Sequence, residues 1–298
     1  MDIQILCERF CEYSLSIRGY SKATICRYSV VIKSYCRIAQ ISELSQITNE
    51  NLRALFYYGR TARKWSVNTY IVYYKSLSIF FKWCMTEGCL STNPMVGIEK
   101  PKLENRLPTK LRKQDAFRLL EVVFNYPYDS KFLRYRNHAI FSMFLFAGLR
   151  KQELLNLKYT DVDIENRTIF IRQGKGNKDR FIPISHTLAQ SLLQYVKVRK
   201  EVNKTCPEFF ASSNRAIGYT SHGLKRLVTQ INEASGIKFN VHKLRHTFAT
   251  LMLEGGCDIY SLSKMMGHSD IRTTTIYLSA SADHLRAQMT KHPLNNCS

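Results

Sequence analysis

Glu99-Lys100-Pro101-Lys102-Leu103-Glu104-Asn105-Arg106-Leu107-Pro108 is the stretch on which the organisation of this 298-residue sequence turns. It is charged, holds two prolines and shows no apolar period, which is the composition of an extended linker. A chain of this length suits about two domains of roughly 100–200 residues each. The expected layout is a first domain over residues 1–98, a linker over 99–109 and a second domain over 110–298.

Upstream of the linker the sequence reads as helices. Ser21 is placed to cap a helix running to about Ala39, with Ile25, Tyr28, Ile32 and Tyr35 at helical spacing. Thr48 or Asn49 opens another, expected to close near Gly59. A further helix starts near Ser66 and carries Val67, Ile71, Tyr74, Leu77, Phe80 and Phe81 on one stripe before Gly88. Asn93-Pro94 then ends regular structure. An aromatic stripe at this spacing is the core of a helical bundle.

Downstream the character changes. Residues 113–124 and 137–146 have helical patterns, the second nearly all apolar and therefore central. After Leu157 the period drops to two. Thr168–Ile171 and residues 180–184 read as strands joined by a turn-rich 174–179, and Asp163-Ile164, before Glu165-Asn166, is a candidate for a third. Helices resume from Leu188. The expected fold class is mainly α: an N-terminal helical bundle, then a C-terminal mixed α/β domain with a small antiparallel sheet.

Charge narrows the partner. Lys and Arg number 44 against 23 Asp and Glu, a net +21. Such a surplus disfavours a neutral small substrate and favours an anionic polymer or a membrane surface. Both halves share it: 14 basic against 8 acidic residues over 1–105, and 30 against 15 over 106–298. That distribution fits a partner gripped by two domains. The longest apolar stretch, 139–149, is interrupted by Ser142 and is shorter than the roughly 20 residues a bilayer crossing needs. Met1-Asp2-Ile3-Gln4-Ile5-Leu6-Cys7 shows no signal-peptide pattern. Nine scattered cysteines without a Cys-x-x-Cys read as free thiols of a reducing cytosol. Cys7 and Cys11, four apart, fit buried thiols better than metal ligands.

Several chemistries can be set aside. Gly174-Lys175-Gly176 lacks both the spacer and the Lys-Ser/Thr ending of a nucleotide-binding loop. In His242-Lys243-Leu244-Arg245-His246 the two histidines have the spacing of zinc proteases, but Lys243 replaces the general-base Glu and Arg245 would repel a cation. No Gly-x-Ser-x-Gly elbow occurs. What remains is Arg150 after an apolar helix, Lys175 in the hairpin turn, His242 and Arg245 on one helical face, His268 after Gly267, and Tyr277. Singly, each has an ordinary explanation. Arg150 could pair with Glu153, Lys175 could be solvated, His242 and Arg245 could form a surface pair, and His268 could cap a helix C-terminus.

Five blocks taken in order resemble the tyrosine recombinase (phage integrase) family. They are Ala147-Gly148-Leu149-Arg150-Lys151-Gln152-Glu153-Leu154, Gly174-Lys175-Gly176-Asn177-Lys178, His242-Lys243-Leu244-Arg245-His246-Thr247-Phe248-Ala249-Thr250, Met266-Gly267-His268-Ser269 and Thr274-Thr275-Ile276-Tyr277. The resemblance covers the second half, and the helical first half resembles the family's SAM-like core-binding domain. Size and layout are most similar to Xer-type and compact mobile-element integrases. Ala147 stands where the family often has Thr, and Met266 where it often has Leu.

The resemblance implies that Tyr277 attacks a DNA phosphodiester, leaving a 3′-phosphotyrosyl link and a free 5′-hydroxyl. Arg150 and Arg245 would clamp the non-bridging oxygens, for which planar, permanently charged forks are suited. His242 and His268 would hydrogen-bond the phosphate and assist proton movement, and Lys175 would protonate the leaving oxygen. Glu153 would orient Arg150; His246 is placed in a supporting position with no assigned role. No metal or cofactor is required. The implied partners are double-stranded DNA at specific recombination sites and three further copies in a homo-tetramer on two sites. A partner recombinase or DNA-bending proteins could join them, and no membrane is involved. The segment 279–298, with Ala282, Leu285 and Met289 at helical spacing, would dock on a neighbour. The location would be cytoplasmic, at the nucleoid.

Candidate DNA-binding residues are Arg60, Arg63 and Lys64 beside a helix start, Lys22 and Arg27 on another helix, and Thr220, Ser221, Lys225 and Arg226 at a helix N-terminus. Solvated faces explain them equally well. Two other functions stay open on the sequence: a type IB topoisomerase-like relaxing enzyme, which the compact layout disfavours, and an inert DNA-binding protein, which the intact set of six disfavours.

Overall fold

A computed structural model describes residues 1–102, 109–172, 179–268 and 270–278, the side chains of Arg272 and Leu278 excepted. Lys175 and the segment 279–298 lie outside the described residues. The chain divides into two compact units, Met1–Asn105 and Arg106–Ser298.

The first unit is four helices: α1 (Ile3–Ser16), α2 (Lys22–Ala39), α3 (Asn49–Thr61) and α4 (Val67–Thr86). Each starts where a short polar side chain can accept from a free amide of the first turn. Asp2 accepts from Gln4 and Ile5, Ser21 from Thr24, Thr48 from Asn51 and Ser66 from Thr69. The stripe on α4 buries Ile71, Leu77, Phe80 and Phe81, while Tyr74 is half-buried. Phe10 packs against Tyr28, Phe80 and Trp83 at centroid distances of 5.4–5.5 Å.

Gly59 does not close α3, which continues to Thr61. The glycine is buried, and a Cβ there would collide with the Trp65 ring. Trp65 folds back over this helix and stacks near Tyr73, 4.0 Å between centroids. The position therefore requires a missing side chain and not a chain reversal.

The second unit opens with α5 (Lys113–Asn125) and α6 (Lys131–Phe146). The latter begins six residues earlier than its apolar run, because Ser130 caps it through the Leu133 amide. Buried along nearly its whole length, α6 contacts α5 as well as α8 (His186–Glu201) and α10 (Val241–Glu254). A short α7 (Lys151–Asn156) follows, then β1 (Val162–Asp163), β2 (Thr168–Ile171) and β3 (Arg180–Pro183). The sheet is antiparallel in the order β1-β2-β3, with Ile169 opposite Ile182 and both buried.

The third strand thus lies one residue earlier than Asp163-Ile164, since Val162 pairs with Ile169. Ile184 falls just past the ladder, its amide donating to the Arg167 carbonyl. The unit is completed by α9 (Ser221–Ser235), α11 (Ile259–Met266) and α12 (Arg272–Leu278). A small cluster of Phe248, Ala249, Leu253, Leu262, Met266 and Tyr277 forms apart from the main core. It is this cluster that seats α12 on α10 and α11.

Among the described residues, no helix is long and apolar enough to cross a membrane, and no group of three or more His, Cys, Asp or Glu is placed to hold a metal ion.

Candidate active site

The apolar helix α6 ends at Ala147, and Gly148 takes φ +60°, a left-handed turn where a Cβ would also strike the Phe248 ring. This turn sets Arg150 at the N-cap of α7. Its amide donates to Glu153 Oε2 at 2.8 Å and its Nη1 to Glu153 Oε1 at 2.7 Å. Arg150 Nη2 donates to the Gly267 carbonyl at 2.8 Å.

Glu153 is the electrostatic centre of the site. Arg180 of β3 grips it with both terminal nitrogens, at 2.9 and 2.8 Å, and uses Nε on the Met265 carbonyl at 2.8 Å. Arg245 Nη1 lies 3.9 Å from the same carboxylate. Burial alone would raise the Glu153 carboxyl; Arg180, with help from Arg150, outweighs it and brings the group down to about 2. One buried anion thereby holds three guanidiniums from α7, β3 and α10.

Asn240 caps α10 by accepting from Lys243, and the helix then presents its residues at different depths. His242 is exposed in the first turn, Arg245 is buried and His246 is half-buried. Arg245 Nη2 donates to the Met266 carbonyl at 2.6 Å, and Nη1 reaches the Gly148 carbonyl. Burial, reinforced by the nearby Arg150 charge, lowers its guanidinium to about 10, where it still keeps its proton at neutral pH.

Gly267, at φ +62°, ends α11 and turns the chain into His268. Arg245 Nη2 stands 3.4 Å from His268 Nε2, and a guanidinium can only donate. His268 Nδ1 is 2.7 Å from Thr274 Oγ1, so in a neutral ring the proton would sit on Nδ1 and be donated to that oxygen. The His268 ring lies nearly parallel to that of Tyr277, 10° apart at 6.5 Å between centroids.

Tyr277 on α12 is 2% exposed, and its hydroxyl is 2.8 Å from His246 Nδ1. Burial raises the Tyr277 phenol against the opposing pull of Arg245 and Arg150. Burial also lowers His246, with the His242 and Arg245 charges acting the same way.

The fold thus gathers Arg150, Glu153, Arg245, His268 and Tyr277 from four separate stretches of chain, with His242 at the edge on the same helix. One member, Arg180, was not legible beforehand, and His246 was expected in a supporting position without a role. Arg180 looked like an ordinary strand residue, although a lone Arg opening a strand right after a hairpin is a usable signal. His246 carried only its place one turn beyond His242. Of the candidate DNA-binding residues, Lys22, Arg27, Arg60, Arg63 and Lys64 are exposed in the first unit, and Thr220, Ser221, Lys225 and Arg226 in the second. Three are also engaged internally: Arg27 lies over the Tyr28 ring, Arg60 Nη1 donates to the Trp65 carbonyl, and Thr220 accepts from Gly223 as the cap of α9.

A phenol hydroxyl set among guanidiniums and imidazoles is equipment for transferring a phosphoryl group to a tyrosine oxygen. Comparison with known proteins gives the same class. The Phage integrase family model matches residues 109–284, and the Phage integrase, N-terminal SAM-like domain model matches residues 6–88. Tyrosine recombinase XerD of Rickettsia bellii (strain RML369-C) is 33% identical over 305 residues, covering 96% of this chain and 98% of that protein. Tyrosine recombinase XerC of Lactobacillus leichmannii is 30% identical, covering 96% and 97%. Among solved structures, XerA recombinase is 27% identical with a TM-score of 0.54, covering 97% of this chain and 98% of that one. XerH site-specific recombinase bound to palindromic difH substrate shares the fold, at a TM-score of 0.73, 22% identity and coverage of 97% and 84%. The chain belongs to the phage integrase family of tyrosine recombinases, enzymes that carry out site-specific DNA recombination by strand transfer through a tyrosine.

Proposed function

We propose that Tyr277 is the nucleophile of this recombinase and that Arg150, Arg245, His242, His268 and Lys175 serve it. The observation that carries the assignment is the convergence of the Tyr277 ring, the His268 ring and the two guanidiniums of Arg150 and Arg245 on one cluster. The phenol oxygen attacks phosphorus, the 5′-oxygen leaves with a proton from Lys175, and a 3′-phosphotyrosyl link forms. Arg150 and Arg245 stabilise the charge growing on the non-bridging oxygens. Glu153 and Arg180 keep those guanidiniums in place. Because the phosphotyrosyl link conserves the ester bond, a 5′-hydroxyl from another duplex reverses the step, and strands are exchanged without a nucleotide or metal.

Tyr277 is 2% exposed, so its oxygen is kept from solvent. Four such cuts complete an exchange, so the working form is a homo-tetramer on two double-stranded sites, joined where needed by a partner recombinase or DNA-bending proteins. Docking of 279–298 on a neighbour has support in an apolar cavity lined by Ala116, Phe117, Leu120, Leu145, Phe146 and Leu251. The unit Met1–Asn105 would clamp DNA through Lys22, Arg27, Arg60, Arg63 and Lys64. Thr220, Ser221, Lys225 and Arg226 would add contacts from the second unit. The eight described cysteines are free thiols, which supports action at the nucleoid in the cytoplasm.

The test is incubation with a nicked duplex whose sequence the wild-type chain has selected from a random library. A covalent protein–DNA adduct is expected with the wild type, and none with Tyr277→Phe. Absence of adduct from wild-type protein bound to that duplex would overturn the assignment.

A further inference from the structure

We propose that His246 is the general base of the cleavage step: its Nδ1 takes the proton of the Tyr277 hydroxyl as the phenol oxygen attacks phosphorus. The proposal rests on Tyr277 being the nucleophile and names the group that activates it.

Geometry separates His246 from the other imidazoles. Its Nδ1 is 2.8 Å from the Tyr277 oxygen. His268 has its Nδ1 on Thr274 and its Nε2 towards Arg245, so neither nitrogen is aimed at the phenol. His242 is exposed, one turn before His246 on α10. A buried phenol must donate its single proton somewhere, and the acceptor within reach is His246 Nδ1. That requires the neutral ring with its own proton on Nε2. Burial and the adjacent His242 and Arg245 favour the neutral ring.

The phenol needs such help. Its ordinary value is about 10, and burial in the small cluster moves it further up. In the forward step the O–H bond of Tyr277 breaks and its proton passes to His246 Nδ1. The phosphorus–oxygen bond to tyrosine forms and the bond to the 5′-oxygen breaks, that oxygen receiving a proton from Lys175. In the reverse step His246 returns its proton to the departing phenol. No oxidant or further reactant enters.

The ionisable groups around His246 are His242 and Arg245 on its own helix, Tyr277 on α12 and His268 beside Tyr277. Lys264, the charged residue of α11, lies over the Tyr260 ring. On α6, Lys131 pairs with Glu201, Arg134 lies over Phe124, Arg136 faces Tyr219 and His138 is bonded to Ser191.

The experiment is single-turnover adduct formation by full-length His246→Gln on the selected, nicked duplex, with His246→Asn as a second variant. Both are expected to bind the duplex as the wild type does and to form adduct roughly 100-fold or more slowly. The wild-type rate should fall as pH drops through a value below that of a free imidazole, and this acid limb should vanish in His246→Gln. A duplex with sulfur in place of the 5′-bridging oxygen, whose leaving group needs no acid, should leave the deficit in place. Three results overturn the proposal: an unchanged rate, a faster rate (marking His246 as a latch), or recovery on the sulfur-containing duplex. Tyr277→Phe keeps the two readings apart. Adduct from that variant would remove the nucleophile itself, whereas its inactivity beside a fully active His246→Gln would remove only the base.

Discussion

Glu153 receives three guanidiniums at a side-chain exposure of 7%, so its charge is worth more to this fold than that of a surface acid. Replacing it by Gln keeps the shape and removes the anion, leaving Arg180 and Arg245 buried without a counter-charge. Glu153→Gln is expected to cost roughly 3–5 kcal/mol in denaturant unfolding of the second unit. The pH dependence follows from the same carboxyl. Its folded value, about 2, is below the ordinary 4.5, so the stabilisation is present above 4.5 and is lost as pH falls toward 2. Acid titration of stability should show that slope in the wild type and lose it in Glu153→Gln. At this scale, residue type and order in the sequence pointed to Arg150, Arg245, His268 and Tyr277 as candidates, because each sits in a short block with local punctuation such as Gly148 or Gly267. Arg180 and the His246–Tyr277 bond were hidden, since their partners lie 27 and 31 residues away and only packing makes them neighbours.

Helix starts were readable because a cap is a local event: Ser21, Thr48 and Ser66 each accept from an amide three residues on. Gly59 misled for the opposite reason. In an exposed helix Gly→Ala gains about 1 kcal/mol of propensity. Here the added methyl meets Trp65, and overpacking of this kind costs roughly 1–3 kcal/mol. Gly59→Ala is therefore expected to lower the melting temperature of the first unit, and a stabilised variant would show that Trp65 gives way freely. The small sheet follows the same division. Alternation revealed β2 and β3, while β1, two residues long, is defined by pairing with β2 and slipped by one position in the sequence reading.

Each unit has its own large core, one built on Phe10, Phe80 and Trp83 and the other on α6, with the small cluster around Tyr277 beside the second. Residues 1–105 should consequently fold alone, with a cooperative thermal transition; a featureless melt with helix absent would mean that this core depends on the second unit. The split was legible from a proline-bearing, charged linker, and a net charge of +21 spread over both halves pointed to a polyanion. Charge alone could not distinguish cations that hold DNA from those that serve chemistry. Arg150, Arg180 and Arg245 converge on one carboxylate instead of facing solvent, which sets them apart from the exposed cations. The central claim is that strand transfer passes through one of 17 tyrosines, and peptide mapping of the protein–DNA adduct by mass spectrometry tests it directly. The nucleotide is predicted on the peptide containing Tyr277, through a phosphotyrosyl bond; a nucleotide on any other residue would contradict the account.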